Sequence, residues 1–109
     1  MLKKKYSCVK VDQQKDGITW VIFNRPEKRN AMSPTFHAEM VEILDLLETD
    51  PDTKLVILTG EGVSFSAGQD LKVFFRETDG RPDLKAAAYN NSKWRNEKLW
   101  MYNKPTISM

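Results

Sequence analysis

Hydrophobic and polar positions change period repeatedly along the chain, and the changes mark the predicted elements. Residues 6–11 alternate weakly and predict a first strand. Asp16-Gly17 is a tight hairpin signal, and residues 18–23, rich in β-branched and aromatic side chains, predict a second strand. Residues 24–32 are polar and contain Pro26 with the cations Arg25, Lys28 and Arg29, which predicts a loop. At Ser33-Pro34 the period becomes helical. Serine supplies an N-cap oxygen, and proline occupies the first helical position, where its missing N–H costs nothing. Phe36, Met40, Ile43, Leu44 and Leu47 then fall on one face, and Asp50-Pro51-Asp52 ends the helix. Residues 55–58 are apolar at every position, as in a central strand covered on both sides.

Beyond that strand, residues 70–76 predict a short helix, broken at Thr78-Asp79-Gly80. Pro82-Asp83 opens a longer helix reaching to about Tyr102. Its apolar positions (Leu84, Ala87, Ala88, Trp94, Leu99, Trp100 and Tyr102) are too scattered to define a buried face. Lys104-Pro105 stops it, and residues 106–109 predict the opening of another strand. The order β-β-α-β-α-α-β argues for an α/β fold in one domain over residues 1–109. Because the chain finishes inside a predicted strand, it is expected to be the N-terminal piece of a longer protein.

Composition narrows the classes further. With 40% hydrophobic and 29% charged residues, the chain is ordinary globular material. A net charge of +2 gives no reason to expect nucleic acid, and Lys3-Lys4-Lys5 reads as a solvated tail. Cys8 is the only cysteine, so no internal disulfide forms and a reducing, cytoplasmic location is expected. No apolar run approaches a membrane span, and no signal-peptide core is present.

The segment with most chemical content is Phe65-Ser66-Ala67-Gly68-Gln69-Asp70-Leu71, where an apolar strand, a glycine-bearing loop and a helix start meet. Backbone N–H groups at such a junction lack intrahelical partners and can hold developing negative charge, so the segment reads as half of an oxyanion hole. A dinucleotide fingerprint built on Gly60 and Gly62 fails, because its third glycine would be Phe65. No glycine-lysine pair makes a P-loop. Ser64 and Ser66 do not form a nucleophile elbow and read as turn serines. His37, the sole histidine, is expected to be a solvent-facing helical residue, and no metal site can be assembled around it.

Asn24-Arg25-Pro26, Asn30-Ala31-Met32, a helix, an apolar strand ending in Thr59-Gly60, and residues 65–71 together resemble the crotonase (enoyl-CoA hydratase/isomerase) superfamily. Finer features resemble its hydroxycinnamoyl-CoA (feruloyl-CoA) hydratase-lyase branch, which makes vanillin-type aldehydes: residues 31–35, Phe75-Arg76-Glu77 and residues 101–109. The resemblance implies the N-terminal part of a crotonase-like (ClpP/crotonase) fold, a β-hairpin followed by alternating helices and strands. It implies an acyl-CoA substrate, coenzyme A being part of that substrate and no separate cofactor, and a trimer or dimer of trimers. The thioester carbonyl would sit between two backbone donors, one of them the Gln69 N–H. Such donors typically supply about 3–4 kcal/mol of transition-state stabilisation each.

By the same resemblance Lys28, Arg29, Ala31, Ala67, Gly68, Gln69, Asp70, Leu71, Lys72 and Phe74 contact coenzyme A or substrate. For Lys28 and Arg29 a solvated loop and a phosphate contact both stand as readings. The hydroxycinnamoyl branch places a tyrosine where this chain has Phe74, which keeps an aromatic wall and loses a hydroxyl. The second oxyanion donor and the acid/base glutamate are expected beyond Met109. Within the superfamily, an enoyl-CoA hydratase or a dihydroxynaphthoyl-CoA synthase is the alternative. Outside enzymology, the chain alone would be a non-catalytic CoA-binding or association fragment.

Overall fold

A computed structural model describes residues 5–68 and 87–109. Strand β1 (Val9–Gln13) pairs antiparallel with β2 (Ile18–Phe23), and the four residues between them turn on Gly17 at φ +94°. Helix α1 (Pro34–Thr49) crosses over to β3 (Leu55–Gly60), which lies parallel to β2. After the 69–86 stretch come helix α2 (Ala87–Ser92), a π-helical turn (Lys93–Lys98) and strand β4 (Thr106–Ser108), parallel to β3. The sheet order is β1-β2-β3-β4. The expected α/β alternation is therefore present.

Side-chain alternation divides the sheet into two faces. In register, Val9, Val21, Phe23, Val56 and Leu58 share the face that packs on α1, against Phe36, Met40, Ile43, Leu44 and Leu47. All five helix residues are fully buried, as their spacing predicts. The Ser33 hydroxyl accepts the Phe36 N–H at 3.1 Å, and Pro34 opens the helix.

Two expectations need correction. Strand β1 starts at Val9, three residues later than predicted, because the preceding residues are captured by α1 instead of the ladder. The Glu39 carboxylate accepts the Ser7 N–H and hydroxyl and the Cys8 N–H, while the Tyr6 hydroxyl donates to Glu42 at 2.7 Å. His37 is not solvent-facing. It is fully buried, and its Nδ1 accepts the Trp94 indole N–H at 3.0 Å. One buried donor satisfies one buried acceptor, which lets a polar ring sit in an otherwise apolar core.

The scattered apolar pattern near the C-terminus has a geometric cause. At about 100° per residue an α-helix would put Leu99 about 140° round from Trp94. The wider π turn, closed by the Leu99 N–H on the Trp94 carbonyl, brings both to the core side. Trp94 is buried and Trp100 is exposed.

Candidate functional site

Phe23 and Gly60 are register partners at the carboxyl ends of β2 and β3, so the loops that follow leave from one edge of the sheet. That edge is where open α/β sheets place ligands. A depression of about 630 Å³ lined by residues 13–17, Pro51, Asp52 and Lys54 lies at the opposite end of the same strands.

The first loop makes a 3-10 turn (Pro26–Lys28) and then takes two consecutive left-handed residues, Arg29 (φ +52°) and Asn30 (φ +57°). Asparagine tolerates that region better than most residues, and arginine does not favour it. The second loop starts at Glu61, whose N–H bonds the Phe23 carbonyl at 2.8 Å, and crosses back over Gly60. A Cβ on Gly60 would lie 2.4 Å from the Ser64 carbonyl oxygen and 2.5 Å from that of Phe65, so only glycine fits under the crossing. Phe65 stacks on Phe23 at 5.0 Å, and Phe23 meets Phe36 edge-on at 4.8 Å, which ties the loop to the core.

The two loops are stitched together along their backbones. The Ala67 N–H donates to the Arg29 carbonyl at 2.9 Å, and the Met32 N–H donates to the Gly68 carbonyl at 2.6 Å. Ser66 acts as a turn serine: its hydroxyl donates to the Asn30 carbonyl at 2.8 Å and accepts the Gly68 N–H at 3.1 Å. Gly68 is held at φ +95°, with no described atom within 4 Å of where a Cβ would project. The amides of Ala67 and Gly68 are both committed inside the loop, so neither is the donor the resemblance requires.

The structure thus brings five of the expected site residues together: Lys28, Arg29, Ala31, Ala67 and Gly68. Lys28, Arg29 and Ala67 are exposed, while Ala31 and Gly68 are half-buried. Gln69, Asp70, Leu71, Lys72 and Phe74 lie outside the described residues. The Arg25 guanidinium turns inward and donates to the Ala31 carbonyl. Exposed Lys10 and half-buried Glu61 pair at 3.6 Å on the rim, a contact of small energetic weight.

Cys8 sits at this edge, its carbonyl accepting the Asn24 N–H at 2.8 Å, but its side chain takes no part there. Its thiol is buried beside the Ser33 hydroxyl at 3.8 Å, and burial raises its pKa, which keeps it protonated and unreactive. No group of His, Cys, Asp or Glu among the described residues is placed to hold a metal ion. No helix among them is long and apolar enough to cross a membrane.

Sequence reading assigned no role to Asn30. It is buried, and its carboxamide makes three hydrogen bonds that link the loops. The available signal was its position: an asparagine after a proline-containing cationic turn, three residues before a helix cap, is a natural left-handed residue.

Known proteins resemble this chain in sequence and in fold. The chain is 48% identical over 107 residues to a hydroxycinnamoyl-CoA hydratase-lyase of Pseudomonas fluorescens, covering 96% of this chain and 38% of that protein. It is 32% identical over 101 residues to the 3-hydroxyisobutyryl-CoA hydrolase-like protein 5 of Arabidopsis thaliana, covering 93% of this chain and 26% of that one. Among solved structures, an enoyl-CoA hydratase/isomerase from Xanthobacter autotrophicus Py2 superposes with a TM-score of 0.76 at 30% identity, over 95% of this chain and 38% of that one. The chain therefore spans well under half the length of these relatives. The enoyl-CoA hydratase/isomerase family model matches residues 13–109, a stretch that holds both stitched loops, and the chain belongs to that family, the crotonases.

Proposed function

We propose that the protein carrying this chain hydrates an aromatic enoyl-CoA such as feruloyl-CoA and cleaves the adduct to an aromatic aldehyde and acetyl-CoA. Water adds its hydroxyl to the β-carbon and a proton to the α-carbon. Loss of the hydroxyl proton then breaks the Cα–Cβ bond, releasing the aldehyde and leaving an acetyl-CoA enolate that takes up a proton. Both steps put negative charge on the thioester oxygen, and a preorganised backbone donor stabilises that charge. The single observation that carries the reading is the 48% identity to the hydroxycinnamoyl-CoA hydratase-lyase.

The site geometry supports the acyl-CoA part of it. A glycine at positive φ lets a ligand run close to the backbone, and exposed Lys28 and Arg29, in the loop bonded to it through the Arg29 carbonyl, supply charge for phosphate groups. The reading uses coenzyme A only as part of the substrate and includes a cytoplasmic trimer or dimer of trimers.

Phe74 favours a second reading, an enoyl-CoA hydratase without cleavage, because an aromatic wall without a hydroxyl discriminates by only about 1–3 kcal/mol. The intact protein, supplied with feruloyl-CoA and with a short-chain enoyl-CoA, separates the two. Aldehyde release from feruloyl-CoA is the expected result. Hydration of both esters without aldehyde would support the second reading, and inertness toward both would overturn the enzymatic assignment.

A further inference from the structure

We infer that Asn30 is the positioning residue for the oxyanion loop, and that it sets turnover by fixing where the backbone around Gly68 lies. The inference rests on the acyl-CoA reading of the site for its activity readout. Its geometric content stands apart from that reading.

The carboxamide of Asn30 sits between three groups that leave it one orientation. Its Oδ1 accepts the Arg25 N–H at 2.8 Å, while its Nδ2 donates to the Glu61 carbonyl at 2.9 Å and the Ser64 carbonyl at 2.7 Å. An amide N–H can only donate and carbonyl oxygens can only accept, so the neighbours fix the head group. Its backbone joins the same network: the Asn30 N–H bonds the Arg25 carbonyl at 2.8 Å, and the Asn30 carbonyl takes the Ser66 hydroxyl. Asn30 therefore holds the start of the first loop and three points of the second, from Glu61 to Ser66. From there only the Ser66 hydroxyl and the Arg29–Ala67 and Met32–Gly68 bonds intervene before the oxyanion segment.

Asn30→Asp is the discriminating change because it alters charge and hydrogens with almost no change of shape. The ionised carboxylate would face two carbonyl oxygens, which repel it and push the loop outward. Burial and those carbonyls raise the introduced carboxyl's pKa, against the Arg25 N–H at its other oxygen and the Arg25 guanidinium on the neighbouring Ala31 carbonyl, which lower it, and once protonated the carboxyl can donate to one of the two carbonyls it faces.

In the intact protein, steady-state kinetics on an enoyl-CoA ester are expected to show kcat of Asn30→Asp lowered about 10²-fold at neutral pH, with KM and the affinity for coenzyme A little changed. Part of the loss is expected to return as pH falls, with no such recovery in the wild type. Amide hydrogen exchange read by NMR is expected to accelerate at Ala67 and Met32 while Phe36 N–H, at the helix cap, is unmoved. Asn30→Ser, which is uncharged and keeps one donor, is expected to show the same pattern more weakly, and it decides the matter if the aspartate variant does not fold. Unchanged kcat, or a loss confined to coenzyme A affinity, would overturn the inference. Unchanged exchange at Ala67 in both variants would overturn it as well. If the wild type turns over no CoA ester, the acyl-CoA reading fails, and the exchange at Ala67 alone decides whether Asn30 positions the loop.

Discussion

Gly60 and Gly68 bracket one loop and are needed for different physical reasons. At Gly60 the obstacle is space, since backbone carbonyls of Ser64 and Phe65 occupy the volume of a Cβ. At Gly68 the surrounding space is open and the obstacle is the backbone angle of +95°. Gly60→Ala is expected to cost about 2–3 kcal/mol, because the crossing loop itself must shift. Gly68→Ala is expected to cost about 1–2 kcal/mol in stability, and more in turnover if, as the resemblance implies, the relaxed backbone carries an oxyanion donor with it. Denaturant midpoints and turnover of the intact protein check this order, and a Gly68→Ala protein with normal turnover would separate the loop from catalysis. Gly68→Val is likewise expected to damage activity more than Gln69→Ala, since a backbone donor survives a change of its own side chain. Both glycines were visible in the sequence as turn residues. Their reasons were not, because one depends on a carbonyl arriving from four residues on and the other on the bond from the Met32 N–H in the first loop. The burial of His37 is hidden from local sequence on similar grounds: its acceptor role depends on Trp94, 57 positions away.

Helix α1 shows how far local sequence carries an element. Its start was legible in full, because Ser33, Pro34 and the core-facing stripe are all local. Its end was only half legible. Asp50 marks the stop, yet the last turn contains no cation of its own to oppose the helix dipole. The cations come from the far end of the chain. The Lys104 ammonium donates to the Leu47 and Asp50 carbonyls, and Lys98 pairs with Asp45 at 2.6 Å and Glu48 at 3.0 Å. Asp50 also collects the Thr53 hydroxyl at 2.6 Å and the Gln13 amide at 2.7 Å on its carboxylate, and the Thr53 hydroxyl bond is the main reason its pKa falls below 3.8. A depressed carboxyl stabilises the fold above its unfolded pKa, and that contribution is lost as pH falls through the folded value. Lys98 behaves oppositely: its raised pKa, caused by Asp45 and Glu48, gives stability that is complete below 10.5 and lost as pH rises through the folded value. Denaturant midpoints between about pH 5 and 2 are therefore expected to fall less steeply for Asp50→Asn than for the wild type, with the alkaline limb unchanged. Equal acid slopes in the two proteins would remove Asp50 from the account.

At the scale of the molecule, this chain carries a sheet edge, two stitched loops and a helix docked through Trp94, and it spans 38% of the Pseudomonas fluorescens relative. The resemblance places one oxyanion donor within these residues and puts the second donor and the acid/base group outside them. A backbone donor typically contributes about 10²–10³-fold, and a positioned acid or base about 10²–10⁴-fold. Losing both lowers the rate by about 10⁴–10⁷-fold, which takes turnovers of ordinary enzymes below routine detection. Purified residues 1–109 are therefore expected to release no aldehyde from feruloyl-CoA and to hydrate no enoyl-CoA ester, under conditions where the intact protein does. Both reactions are read from the thioester and aldehyde absorbance, with Gly68→Val in the intact protein as the comparison for loss of a single donor. That variant is expected to retain more activity than the isolated chain, because its acid/base group remains. Turnover by residues 1–109 at a rate near that of the intact protein would place a second donor and a base among these residues, and the division of the site implied by the resemblance would fall.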